Sequence, residues 1–228
     1  NLKVEVFTKR FDTAAYAENR KVSIQVAARE LRYEWFESIR KEKELNLIAT
    51  AHHLNDNLET VLYNLAKGTG IRGLRGIPIR QKQIIRPMLF ATREEVEQFL
   101  NTNNLTYRQD SSNEEDKYSR NKIRLHVIPA LKEINPALEH TLGNKIQLFG
   151  ELEEMYEKEI QKQEKQLFLP RKGDIYIPIL KLKKVKHAES ALFEFLKTFD
   201  FTAAQVKDML QGVDAEAGKT LHGPGTGG

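Results

Sequence analysis

His52, Asp56 and Glu59 have the residue types and spacing for proton transfer and cation binding, standing at i, i+4 and i+7. On a helix these positions share one face. A histidine with two carboxylates can move a proton, orient an ammonium group or offer ligands to a metal. Upstream, residues 45–50 (LNLIAT) form a short apolar run of strand character. Downstream, Leu58, Val61, Leu62 and Leu65 recur at helical spacing and turn mainly away from the polar three. A strand thus delivers the set to its C-terminal end, where open α/β sheets bind their ligands. Gly68, Gly70, Gly73 and Gly76 follow. They are more than a helix C-cap requires and predict backbone brought close to something else.

Two plainer readings compete. The three residues could form a solvated helix face, or His52, His53 and Asp56 could be metal ligands of an HD-type phosphohydrolase. The second needs further His or Asp ligands at helical positions, and His126, His140 and His187 lie in unpromising contexts.

Residues 52–78 (HHLNDNLETVLYNLAKGTGIRGLRGIP) resemble a signature of the tRNA(Ile)-lysidine synthases, within the N-type ATP pyrophosphatase (PP-loop) superfamily. Three shorter segments agree with it: AARELRYEWF at 27–36, RPML at 86–89, and DSSN at 110–113 followed by YSRNKIR at 118–124. The resemblance implies a Rossmann-like, adenine nucleotide alpha hydrolase-like parallel sheet domain. A smaller, mainly helical domain with a β-hairpin would follow it. It also implies ATP-dependent ligation of free L-lysine to C2 of the wobble cytidine in an isoleucine tRNA with a CAU anticodon. The cofactors would be ATP and Mg²⁺. The assembly would be a homodimer or a monomer. Members carry an SGGxDS loop after their first strand that cradles the ATP pyrophosphate in backbone N–H groups. No such string occurs here. The expectation is that the given sequence lacks it, through truncation or through omission of a disordered segment, and that the parent protein is the competent enzyme. A tRNA thiolase of the same superfamily is the alternative, weakened by the absence of cysteine.

On this resemblance His52, Asp56, Glu59 and Arg124 are the candidate catalytic residues, with Asp56 also a candidate Mg²⁺ ligand. Candidates for phosphate or tRNA contact are Arg29, Arg32, Arg72, Arg75, Arg86, Asp110, Asn113, Arg120 and Asn121. Gly68, Gly70 and Gly73 are candidates for approaching the nucleotide. Arginine is favoured over lysine where planar, bidentate contact to phosphate is needed. For any one of these arginines, a solvated surface position or an ion pair with a nearby carboxylate is the plainer explanation.

The rest of the chain must position these groups. Of its 228 residues 40% are hydrophobic, enough for a packed core, and the net charge of +4 is compatible with a polyanionic partner without requiring one. No apolar run is long enough to cross a membrane, and the first residues show no signal-peptide pattern. With no cysteine, the expectation is a cytoplasmic protein.

The pattern predicts a strand at 2–7, a loop at 11–20, a long amphipathic helix at 21–41 and a strand at 83–85. Thr92 and Glu95 make a capping box for a helix at 93–102, with Val96, Phe99 and Leu100 buried. Asn135 and Pro136 open a long helix running to about 166. A hairpin over 168–179, a basic stretch at 181–187 and two short helices complete the chain. The expected division is a catalytic domain over 1–134, a linker helix with a small tRNA-contacting domain over 135–222, and a low-complexity tail at 223–228.

Overall fold

The computed structural model describes residues 4–106, 119–171 and 174–212. These residues are mostly helical, with two small sheets. The chain divides into two compact units, Asn1–Ile146 and Gln147–Gly228.

In the first unit, the segment expected as a loop is a helix, α1 (Thr13–Arg20). Asp12 caps it, accepting from the Ala15 N–H at 3.0 Å, and Lys21 ends it in the left-handed region at φ 53°. The alanines between favour the helix, and the sequence pattern had underrated them. Helix α2 (Ile24–Glu42) is opened by Ser23, which accepts from the Val26 N–H. It packs on α1, and Phe11 meets Trp35 edge-on at 6.0 Å. Residues 4–7 do not form the expected strand. Their alternation is present, but no described segment pairs with them, and Val4 and Val6 stand exposed.

Strand β1 (Ile48–Ala49) feeds helix α3 (Leu54–Ala66). Beyond it come the short helix α4 (Ile71–Leu74) and strands β2 (Arg80–Gln81) and β3 (Ile84–Ile85). The sheet order is β1-β3-β2. β1 runs parallel to β3, with Ile48 opposite Ile84 and Ala49 opposite Ile85. β2 closes an antiparallel turn onto β3 through Lys82, at φ 54°. The Thr92–Glu95 capping box opens α5 (Arg93–Thr102) as the sequence indicated. No α5 residue is buried, however, and Phe99 is 63% exposed. The helix signal is local and correct, but burial depends on what the rest of the chain places alongside.

Helix α6 (Ser119–Lys122), a π-helical turn (Ile123–Val127) and α7 (Ile128–Ile134) then run on continuously. Asn135 ends α7 and its side chain accepts from the Ala137 N–H, so it also leads into α8 (Leu138–Leu167). The core of this unit is Leu58, Ile123, Ile128 and Leu138, flanked by Leu62, Tyr63, Leu131 and Leu142. The apolar face of α3 thus packs on the π turn, α7 and the first turns of α8. Leu65, expected on that face, is exposed at the end of α3.

The second unit contains the predicted hairpin, β4 (Leu169–Arg171) with β5 (Asp174–Tyr176). Helices α9 (Ile179–Leu182), α10 (Ala188–Leu196) and α11 (Ala203–Gly212) follow, with a 3₁₀ turn at Lys197–Phe199. Its core gathers Ile160, Leu167, Phe168, Leu182, Leu192, Leu196 and Val206, with Phe168 stacked on Phe195. Ile160 and Leu167 are buried although the stretch of α8 around them is rich in charge. Among the described residues no helix is long and apolar enough to cross a membrane.

Candidate active site

The site is built where β1 hands over to α3. Thr50 follows the strand, and its hydroxyl lies 2.8 Å from His52 Nδ1. His52 precedes the helix and so is not on its face, contrary to the i, i+4, i+7 reading. The first helical residue is Leu54, because His53 is the N-cap. The Asp56 N–H donates to His53 Nδ1 at 3.3 Å, and the His53 N–H donates to Asp56 Oδ2 at 2.9 Å. This reciprocal pair satisfies two N–H groups that a helix start leaves orphaned. Asp56 therefore has a structural task before any chemical one.

One turn on, the Glu59 carboxylate is buried, and its pKa is pushed up to about 7. Burial is the main cause and the neighbouring Asp56 charge adds to it, while Arg124, Arg120 and Arg93 pull the other way. His52 is held below the ordinary imidazole value, chiefly by burial. Asp56 draws it up, and Arg86, Arg29 and Arg120 press it down. His52 is thus held neutral, Glu59 carries a carboxyl group poised to titrate at physiological pH, and Asp56 acts on both. Such an arrangement can take a proton from an incoming amine and hold it.

Glu59 opens into a cleft of about 190 Å³. His53, Arg93, Arg124, Lys132 and Glu139 share its wall. Arg124 lies within the π turn and donates to Asn121 Oδ1 at 2.9 Å. Arg120 sits over the Tyr63 ring, with its guanidinium carbon 5.9 Å from the centroid. Arg29 similarly covers Tyr33, at 4.9 Å. Arg32, Arg72 and Arg75 are exposed. Asp110 and Asn113 lie outside the described residues.

Two groups of residues have firm local reasons for their identity. Arg86 is only 2% exposed and donates to the Pro78 carbonyl at 2.6 Å and to Gln81 Oε1 at 3.4 Å. It therefore pins the segment that enters β2. The glycines lie between α3 and β2, in and around α4. Gly68 takes the left-handed conformation just past the α3 C-cap, at φ 73°. Gly73 has no room for a Cβ, which would fall 2.1 Å from the Thr69 side chain. At Gly76, φ is 64° and a Cβ would fall 2.0 Å from Asn57 Oδ1, the atom that accepts from the Ile77 N–H. Gly70, the N-cap of α4, has open space around it.

Sequence reasoning missed Asn55, Lys132 and Glu139. The Asn55 side chain accepts from the Arg93 N–H at 2.8 Å and donates to Glu139 Oε1 at 3.4 Å. The Lys132 ammonium donates to Glu139 at 2.8 Å and to Glu94 at 3.3 Å. These links join α3, α5, α7 and α8, and no spacing rule reaches across them. Among the described residues no three His, Cys, Asp or Glu side chains converge as metal ligands.

The strand-to-helix turn thus presents acid–base residues beside arginines. Residues 1–131 match the PP-loop domain, and the chain belongs to that family. Residues 170–225 match the TilS substrate binding domain. Among curated proteins, the chain is 40% identical over 209 residues to a tRNA(Ile)-lysidine synthase of Bacteroides thetaiotaomicron, covering 92% of this chain and 48% of that protein. It is 38% identical over 212 residues to a protein of the same name from Porphyromonas gingivalis, covering 92% and 46%. A third, from Thermosipho africanus, is 39% identical over 193 residues, covering 82% and 45%. The chain spans about half the length of these curated relatives.

Proposed function

We propose that this chain is the catalytic and substrate-binding part of a tRNA(Ile)-lysidine synthase. In this reading the parent enzyme uses ATP to activate C2 of the wobble cytidine in a CAU-anticodon isoleucine tRNA. The C2 carbonyl oxygen takes the adenylyl group and pyrophosphate leaves. The ε-amine of free lysine then attacks C2, and AMP departs. The small parallel pair β1–β3, feeding α3 at its C-terminal end, is consistent with the edge of a Rossmann-like sheet.

The observation that carries the proposal is Glu59. An amine attacks only when deprotonated, and a carboxyl group titrating near 7 beside a cleft can relieve a lysine ammonium of its proton. His52, kept neutral, is the second acceptor within the same electrostatic field. In this reading Arg124 and Arg120, with Arg29 and Arg32 on α2, would balance charge on the nucleotide and tRNA phosphates. Arg72, Arg75 and Gly70 would face the same partners. Mg²⁺ fits Asp56 as a single protein oxygen ligand, since this ion is held largely by substrate phosphates and water. When bound it would neutralise phosphate charge. Asp56 meanwhile keeps the α3 start in place and, after burial, adds to the rise that brings the Glu59 carboxyl close to neutrality.

The test uses the full-length parent protein with ATP, Mg²⁺, radiolabelled lysine and an unmodified CAU-anticodon isoleucine tRNA. Label should enter the tRNA with the wild type and be lost with Glu59→Gln. ATP consumption on the tRNA without label would reject lysine transfer in favour of another modification.

A further inference from the structure

The cleft beside Glu59 contains more charge than an acceptor for one amine requires. Glu59, Glu94 and Glu139 face it together with Arg93, Arg124 and Lys132. Both signs on one small wall suit a zwitterion better than a simple cation. Within the set, the Lys132–Glu139 pair is distinctive. Glu139 is 5% exposed, so its charge is compensated where water is scarce. Its partners are Lys132 at 2.8 Å and Asn55 at 3.4 Å. Asn55 is fixed in turn by the Arg93 N–H at the start of α5. An ammonium has three N–H donors. Glu139 and Glu94 accept from two of them, which leaves capacity for one more acceptor from the cleft. The arginines that act on Glu59 are Arg124, Arg120 and Arg93, whereas Lys132 is engaged by Glu139 and Glu94. One part of the cleft thus has a carboxyl group ready to take an amine proton, and another has a braced cation.

We propose that Lys132, held in place by Glu139 and Asn55, receives the α-carboxylate of the amino-acid substrate. Lys132 is then the residue that separates an α-amino acid from a plain diamine or an amide. This rests on lysine being the substrate of the Glu59 cleft. It goes further in placing the substrate's head group at the junction of α5, α7 and α8. Glu139 and Asn55 are positioning residues. They fix the direction of the Lys132 ammonium and stop it from folding back onto the acidic Glu59.

The experiment compares lysine with lysinamide, which keeps both amines and lacks the carboxylate. Full-length wild type and Lys132→Gln are assayed for transfer to the tRNA, and tRNA-dependent pyrophosphate release is followed separately. The wild type should show a KM for lysinamide roughly ten- to hundredfold above that for lysine, the range expected for losing a charge-assisted hydrogen bond. Lys132→Gln should raise the KM for lysine to the lysinamide value, leaving kcat and pyrophosphate release close to wild type. Lys132→Arg, which keeps the charge and the pairing with Glu139, should preserve the preference for lysine. Equal KM values for the two amines in the wild type would overturn the proposal without any variant. So would a Lys132→Gln enzyme that still prefers lysine. Failure of the wild type to transfer lysine at all would instead overturn the functional reading on which this one rests.

Discussion

Replacing Glu59 by Gln should make the protein more stable and less active. In an unfolded chain a Glu carboxyl titrates at about 4.5, whereas in the fold it titrates at about 7. Between those values the folded state holds a proton that the unfolded state has lost, so stability falls as pH rises through this window and levels off above about 7. Each pKa unit corresponds to about 1.4 kcal/mol. The full shift would therefore cost roughly 3 kcal/mol, and partial solvent screening reduces it to about 1–3 kcal/mol. Gln keeps the shape and removes the titration. The assay is thermal or urea unfolding of wild type and Glu59→Gln at a series of pH values from 4 to 8.5. The two proteins should be nearly equal at pH 4. The variant should gain progressively from pH 4.5 to 7 and hold a constant advantage above that. At about 2–4 °C per kcal/mol for a domain of this size the gain is readily measured. A pH-independent difference, or a variant that loses stability at pH 8, would show that Glu59 is not held near neutrality by burial and Asp56. The argument for its role as a proton acceptor would then fail as well.

Arg86→Ala should cost roughly 2–4 kcal/mol in urea unfolding, because it strips a buried charged group from the Pro78 carbonyl and Gln81. A variant of normal stability with weakened tRNA binding would return Arg86 to the role the sequence suggested. Gly76→Ala should destabilise by more than about 1 kcal/mol, since the residue sits at φ 64° and its new methyl meets Asn57 Oδ1. Gly70→Ala, with open space, is the control and should unfold with the wild type.

The strand-to-helix turn and its acid–base residues were legible because their cues are local. An apolar run, a helical apolar period and two carboxylates on successive turns are all written in consecutive residues. The Thr92–Glu95 box was legible for the same reason. The start of α3 was not, because histidine is not a preferred N-cap and nothing in the pattern distinguishes His52 from His53. The burial of Arg86 was not legible, because arginine is rarely buried and its burial depends on a loop carbonyl eight positions upstream. Of the four glycines only Gly73 and Gly76 are places of close approach, and the approach is to the chain's own Thr69 and Asn57, whereas Gly68 and Gly70 have open space around them. Lys132 and Glu139 carry no motif. They matter through Asn55 and Arg93, which only folding brings beside them.

The π-helical turn at Ile123–Val127 decides how the chain can serve core and cleft at once. Ile123 and Ile128 are both buried in the same cluster, five positions apart, and the Ile128 N–H bonds back to the Ile123 carbonyl. In an ordinary α-helix residues five apart point about 140° away from each other, and one of the two would leave the core. The wider turn lets both stay, and the slack it introduces falls on Arg124. Deleting one residue here would regularise the helix, yet either an isoleucine or the arginine would then face the wrong way. Homologous chains aligned through this segment should therefore vary in side chain far more readily than in length.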